Sequence, residues 1–284
     1  MMKRFEIMNA VTLFLPVAKA RPAAFWLLIA WMYGLLLVAG LVTASLGAEP
    51  LDPENVDLAA NLMPALIGIL VQAVIGFALV TVWVRLLGTG TVAGVMPFNF
   101  GPNEKAGLIA MVMVIALTFA VTMIAFMMAS VLQLLTSPVM MGMLFVPLVI
   151  LAIVYVTIRT VPAVALSLLT AQPAFKLAWR ETSKIFGGLL GGFVTVVIAA
   201  MILAGLNLVL TVTLISAMGI ELEAFEAAMN TPGLSAVELV FQLLQTAFLI
   251  PIQLMSISLA TSAALHILGW DNEWTREIGA AREA

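Results

Sequence analysis

The sequence predicts an all-α polytopic membrane protein: six transmembrane helices in a bundle, preceded by an amphipathic helix in the membrane interface. Three observations carry that expectation. Apolar residues make up 63% of the chain and charged residues only 10%, whereas a soluble domain is about half apolar and about a quarter charged. The charges divide the chain into long uncharged runs. Every lysine and arginine then falls on one side of the spans those runs define.

A bilayer core of about 30 Å needs about 20 residues of apolar helix, and each run can be measured against that length. In residues 1–20, Phe5, Met8, Val11, Leu15 and Ala18 recur at spacings of three and four between Lys3 and Arg4 on one side and Lys19 and Arg21 on the other. Asn9, Thr12 and Pro16 interrupt the apolar core that a secretory signal would have, so the segment reads as an interfacial amphipathic helix. Arg21 to Glu49 and Asp57 to Arg85 each enclose 27 uncharged residues, predicting spans over about 23–47 and 60–86. Lys105 to Arg159 encloses 53, enough for two spans, about 106–133 and 140–159, broken at Thr136-Ser137-Pro138 and Gly142. The 16 uncharged residues between Arg159 and Lys176, with Pro162 and Pro173 near the ends, are too few to cross. Residues 160–184 are therefore expected as an interfacial cytoplasmic segment, with 160–175 either interfacial or re-entrant. Lys184 to Glu221 and Glu238 to Asp271 enclose 36 and 32 residues, predicting spans over about 185–217 and 238–268. No internal repeat divides the chain, and residues 1–284 read as a single membrane domain.

Six spans place both termini on one side, so alternate loops can be compared. Lys3, Arg4, Lys19, Arg21, Arg85, Lys105, Arg159, Lys176, Arg180, Lys184, Arg276 and Arg282 all fall in the N-terminal segment, the second loop, the fourth loop or the C-terminal tail. The other loops hold Glu49, Asp52, Glu54, Asp57, Glu221, Glu223, Glu226 and Glu238, and no base. The net charge of -3 thus separates into +5, from twelve bases and seven acids, and -8 from the eight acids opposite. The positive-inside rule then predicts cytoplasmic termini. Trp26, Trp83, Trp179, Trp270 and Trp274 lie near the same predicted helix ends, where an indole can anchor at the interface, and Trp31 lies deeper.

Composition removes much chemistry. With no cysteine and one histidine, the chain has no disulfide, thiolate zinc site, iron–sulfur cluster, cysteine nucleophile or His-pair haem site of its own. No triad, acid pair or metal set is visible, so neither an enzyme activity nor a cofactor nor a bound metal is expected, and the absence of a basic excess argues against nucleic acid. No ionisable residue lies near the middle of a span, which argues against ion coupling. His266, near the cytoplasmic end of the last span, reads as a packed or interfacial imidazole. Met127, Met128, Met140, Met141 and Met143 could supply soft donors to Cu(I), but 18 methionines in all make flexible apolar packing the plainer reading. The acidic stretch from Glu49 to Asp57 lacks the glycine turn of a calcium loop and reads as a solvated connection.

Two polar constellations remain. At about 100° per residue from Gln242, Gln245 falls at about 300°, Gln253 at about 20° and Ser256 at about 320°, one stripe opposite Pro251. With Gln72 and Asn207, and with Thr81, Thr118 and Thr122 on other spans, the stripe is a candidate polar pathway, but interhelical hydrogen bonding is the plainer reading. The second constellation is a basic shelf of Arg159, Lys176, Trp179, Arg180, Thr182 and Lys184, suited to lipid headgroups or a protein partner. Gly187, Gly188, Gly191 and Gly192 form interleaved small-residue pairs that permit close packing within the chain or between two copies.

The stretch from Tyr155 to Gly192 resembles the junction in YciC-like proteins and in the membrane domain that precedes some glycerophosphoryl diester phosphodiesterases. There an arginine ends one helix, a proline-containing segment follows, and a Ser-Trp-x-x-Thr pattern opens the next span. Arg159, Pro162, Trp179 and Thr182 match, Ala178 replaces the serine, and Lys184 stands where glycine is common. The resemblance implies a six-helix bacterial inner-membrane protein without the catalytic domain of the fused relatives. The sequence therefore sets two expectations. The first is a non-enzymatic protein that supports envelope or lipid processes, or a membrane assembly, through its basic face, with membrane lipids and another membrane protein or a second copy as partners. The second is a transporter or permease component for an uncharged or amphiphilic solute, and a cavity bordered by Gln242, Gln245 and Gln253 would distinguish it.

Overall fold

Lipid offers backbone N–H and C=O groups no partner, so a long uncharged run inside a membrane must close its own hydrogen bonds as helix. The computed structural model describes residues 5–45, 58–92, 98–133, 145–219, 236–270 and Glu277. Two short helices, α1 (Ile7–Val11) and α2 (Phe14–Ala20), precede the long helices α3 (Pro22–Ser45), α4 (Leu58–Thr89) and α5 (Pro102–Gln133). Then come α6 (Val146–Thr160), α7 (Ala163–Thr170), α8 (Phe175–Glu181) with a 3-10 turn at Thr182–Lys184, α9 (Phe186–Ala217) and α10 (Ala236–Leu268). Among the described residues there is no strand, and six helical segments are long and apolar enough to cross a membrane, α6 and α7 together making the fourth. The protein is an all-α, multi-pass membrane protein. The Thr136-Ser137-Pro138 break, Met140, Met141, Met143, Trp274 and the acidic residues Glu49, Asp52, Glu54, Asp57, Glu221, Glu223 and Glu226 lie outside the described residues.

The helix with the glutamine stripe is the central one. α10 packs against α1, α3, α4, α7 and α9, and 44% of its apolar stretch is buried, against 6% for α5 and for α9. The peripheral helices turn large apolar side chains outward, such as Phe119 and Phe126 on α5 and Met201 and Leu208 on α9. With hydrocarbon as the solvent, such a surface costs nothing to expose. The interior between α3, α4, α7 and α10 is filled by residues including Met32, Trp83, Leu87, Leu166 and Leu254. Trp83 is a departure from the interfacial role expected of it. Its indole is fully buried, edge-on to Phe25 at 5.4 Å, because its face of α4 looks into the bundle. Trp26, on the other side of α3, is 65% exposed.

Residues 163–170, expected as part of an interfacial or re-entrant segment, pack among the long helices. Ala163, Ala165, Leu166, Ser167 and Leu168 are buried, and α7 packs chiefly on α5, with α4 and α10 on other sides. Uncharged and apolar, this stretch is accommodated inside the bundle after the turn at Val161 and Pro162. Ser167 closes its far end by donating to Ala163 O at 2.7 Å and accepting from Ala174 N at 2.9 Å. The N-terminal segment is likewise not one helix but two, broken at Thr12, whose hydroxyl donates to Met8 O at 2.6 Å. The break rotates the second half, so Ala10, Val11, Leu13 and Val17 are buried while Met8 and Leu15 are exposed.

Three of the four helix-opening glycines serve contacts within the chain. A Cβ on Gly188 would stand 2.7 Å from Phe5 Cδ1, one on Gly191 2.6 Å from Ile7 Cδ1, and one on Gly192 2.5 Å from Leu259 Cδ1. At the basic end, Glu104 on the first turn of α5 accepts from Gly101 N at 2.7 Å and pairs with Arg85 of α4. That carboxylate caps α5, complements its N-terminal dipole and joins two spans at once. Asn103 adds a third element by donating to Leu168 O of α7 at 2.7 Å.

Candidate functional site

A cavity of about 530 Å³ opens between α3, α4 and α10. α10 contributes Gln242, Gln245, Thr246, Leu249 and Gln253; α3 contributes Leu36, Ala39, Gly40 and Thr43; α4 contributes Gln72, Ile75 and Gly76. Among the described residues, four glutamines and two threonines line it and no ionisable side chain does. At about 1.5 Å per residue the lining residues stand about 22–33 Å from Arg21 along α3 and about 13–20 Å from Arg85 along α4, so the cavity runs from mid-bundle toward the opposite side. Its shape follows from residue size. Gly40 and Gly76 withhold side chains where α3 and α4 face α10, and the glutamines of α10 reach into the space left.

The hydrogen bonding of this space is incomplete. Gln72 Nε2 donates to Thr43 Oγ1 at 3.4 Å, and Thr43 Oγ1 donates to Ala39 O at 2.8 Å. Tyr33 of α3 donates to Leu243 O of α10 at 3.2 Å and fixes the two helices nearby. Among the described residues, the amides of Gln242, Gln245 and Gln253 find no protein partner. Interhelical bonding thus accounts for Gln72 and leaves three amides, each with two donors and an acceptor, facing the cavity. Polar groups at this depth need partners, and here those partners must come from what enters.

Other residues of the expected pathway lie elsewhere. Ser256 donates to Ile252 O at 2.9 Å within α10 and lines a second, apolar cavity. Asn207 lies on α9 with Thr211 a turn further on, and their buried Oδ1 and Oγ1 have no partner, but neither borders the glutamine cavity. Thr81, Thr118 and Thr122 each donate to the carbonyl four residues back in their own helices, the usual way a hydroxyl satisfies itself in a span. Thr246 was within reach of sequence reasoning, since it projects at about 40° from Gln242, beside the stripe. Thr43, Gly40 and Gly76 carried no such signal, because their part depends on which helices become neighbours.

The basic shelf resolves into a packed knot and an outer rim. Arg159 is buried, its guanidinium 5.0 Å from the Trp179 ring centre and 5.8 Å from that of Tyr155. Phe175 stacks on Trp179 at 6.3 Å. Thr182, also buried, donates to Ala178 O at 2.8 Å and to Arg159 O at 3.3 Å. Arg159, Trp179 and Thr182 therefore join α6 to α8 and the 3-10 turn. Lys176, Arg180 and Lys184 are exposed, and Glu181 pairs with Arg180 at 2.8 Å and Lys184 at 2.5 Å. Hydrogen bonds from Lys184 and then Arg180 hold the Glu181 carboxyl below its ordinary pKa.

His266 lies beside the N-terminal segment, edge-on to Phe5 at 5.5 Å. Fold and cavity together define a six-span membrane protein with an open polar cavity between α3, α4 and α10, lined among the described residues by no charged side chain. No protein-family model, curated protein or solved structure matches the chain.

Proposed function

We propose that this membrane protein binds an uncharged, hydrogen-bonding solute or amphiphile in the chamber between α3, α4 and α10 and passes it across the bilayer. One observation carries the reading: among the described residues, three glutamine amides without protein partners and no charged side chain line a cavity of about 530 Å³ that reaches mid-bundle. Amides donate and accept without carrying charge, so they favour neutral polar groups and give an ion nothing to offset its desolvation. The basic end is assigned to the cytoplasm of a bacterial inner membrane, and no catalytic step is assigned to the chain. The full chain in proteoliposomes tests the reading, with glycerol and acetamide as probes in a swelling assay. Flux above that of empty liposomes, lost in Gln242→Leu with Gln245→Leu, is expected; flux equal to empty liposomes overturns the proposal.

A second reading rests on the rim of the shelf. Arg180 and Lys184 have side chains 74% and 57% exposed beside a Glu181 that is 13% exposed, so the cations project outward. With Lys176 they suit anionic headgroups or an acidic partner, at about 1 kcal/mol per cation. The likeness of Tyr155–Gly192 to the YciC-like proteins belongs with this proposal. Retention of anionic lipid in native mass spectra, reduced in Arg180→Gln with Lys184→Gln, would support it; equal retention would remove it.

A further inference from the structure

Below the glutamine chamber, toward the basic end, lies a second cavity of about 340 Å³. Gly76 lines both. On α10 the walls also follow one another, Gln253 bordering the first and Ser256, Ile257 and Ala260 the second. On α4 the second cavity continues from Gly76 through Val80 to Val84, about 12 Å at about 1.5 Å per residue. Its walls are apolar apart from Ser256, whose hydroxyl is already given to Ile252 O. A water there would lack the two to four polar partners it needs, whereas apolar cavities stay dry and accept apolar groups. At the junction, a Cβ placed on Gly76 would meet nothing within 4 Å, so the passage between the cavities is open on that side.

We propose that the two cavities form one divided site for a single-chain amphiphile, its neutral hydrogen-bonding head among Gln242, Gln245 and Gln253 and its alkyl chain past Gly76 in the apolar cavity. The inference rests on the reading of the glutamine chamber and adds the class of ligand. A head group alone would leave the lower cavity empty, with the loss of contact that close-packed interiors avoid. An alkyl chain alone would leave three amides unpartnered. A molecule with both parts satisfies both halves at once. The chain could also come from a bilayer phospholipid, and dependence on the glutamines separates the two sources.

The test uses the full chain in nanodiscs with an N-dodecyl amide carrying a diazirine at its terminal carbon. After irradiation, peptides covering Val80–Val84, Val161–Ala165 and Ala260 are expected to carry the label. Gly76→Leu, which plugs the junction, should lower that labelling about tenfold, and Ala260→Leu, which fills the lower cavity from α10, should do the same if the first variant folds poorly. Gln245→Leu with Gln253→Leu should lower it as well, since the head loses its partners. Labelling that ignores the glutamine variants means a bulk lipid chain occupies the cavity and overturns the inference. Labelling confined to lipid-facing positions such as Phe119 and Met201 overturns it too. If glutamine-dependent acetamide flux persists in either case, the solute reading stands and only the divided site falls; loss of both removes both.

Discussion

Gly40 lies directly against the Gln242 amide: a Cβ on Gly40 would stand 2.6 Å from Oε1 and 3.4 Å from Cδ. The missing side chain on α3 is what lets that amide rest against the neighbouring helix. Gly40→Ala should therefore swing the amide away, and because the atom in the way is the end of a flexible side chain, the bundle itself need not move. Replacing a helical glycine by alanine gains up to about 1 kcal/mol. The expected outcome is unchanged or slightly raised resistance to SDS unfolding with acetamide flux reduced severalfold. A drop in both would mean that α3 had shifted instead.

Glu104 is 1% exposed and satisfies two partners, Arg85 and the Gly101 N–H. Glu104→Ala leaves the Arg85 cation without its counter-charge in a mostly buried position and uncaps α5. Because Arg85 keeps 21% of its side-chain surface exposed, the cost falls below that of a fully buried pair, at about 2–3 kcal/mol. Glu104→Gln keeps an acceptor for Gly101 and should cost less. SDS titration of the two variants measures the order, and equal costs would assign the whole effect to the charge.

Arg159 over Trp179 is a contact in which shape matters as well as charge. Lysine keeps the charge but lacks the planar guanidinium that lies over the indole. Arg159→Lys and Trp179→Ala should show a coupling of about 1 kcal/mol in a double-mutant cycle on unfolding, and no coupling would show the ring to be a passive neighbour.

How much of this was legible beforehand depended on the range of the interaction. Six spans were readable from Arg21, Asp57, Lys105, Lys184 and Glu238, since a charge at the end of a run is a local constraint set by the solvent. The glutamine stripe was legible because Gln242, Gln245 and Gln253 sit on one helix and obey its period. What could not be read was pairing between helices. Gly40 and Gly76 become chamber walls only because α3 and α4 pack on α10, and Trp83 becomes core only because its face of α4 meets Phe25. The contact of Arg159 with Trp179 is of the same kind, since it depends on how α8 folds back on α6.

Glu181 gives a pH dependence with a definite sign. Its carboxyl pKa is lowered from 4.5, first by the Lys184 hydrogen bond and then by Arg180. A group whose folded pKa is depressed contributes stability that is present above its unfolded value and lost as pH falls through the folded value. The link between α8 and the 3-10 turn should thus be intact at neutral pH and weaken only below about pH 4.5. Infrared titration of the carboxylate band, with Glu181→Gln as the blank, reads this directly. A midpoint above the ordinary glutamate value would contradict the pairing.

Ala171 ends α7 with φ 55°, the one non-glycine residue with positive φ among the described residues. A Cβ in the left-handed region crowds the following carbonyl and costs about 1–2 kcal/mol. Glycine removes that crowding but loses about 0.5–1 kcal/mol more conformational entropy on folding. The difference favours Ala171→Gly by up to about 1 kcal/mol, and the exposed position means no packing is lost. Ala171→Val should move the other way, since branching at Cβ worsens the same contact. SDS unfolding midpoints in the order Gly, Ala, Val are expected. The reverse order would show that α7 ends in some other conformation, and with it the turn that carries the chain from the buried helix to Phe175 and the Trp179 knot.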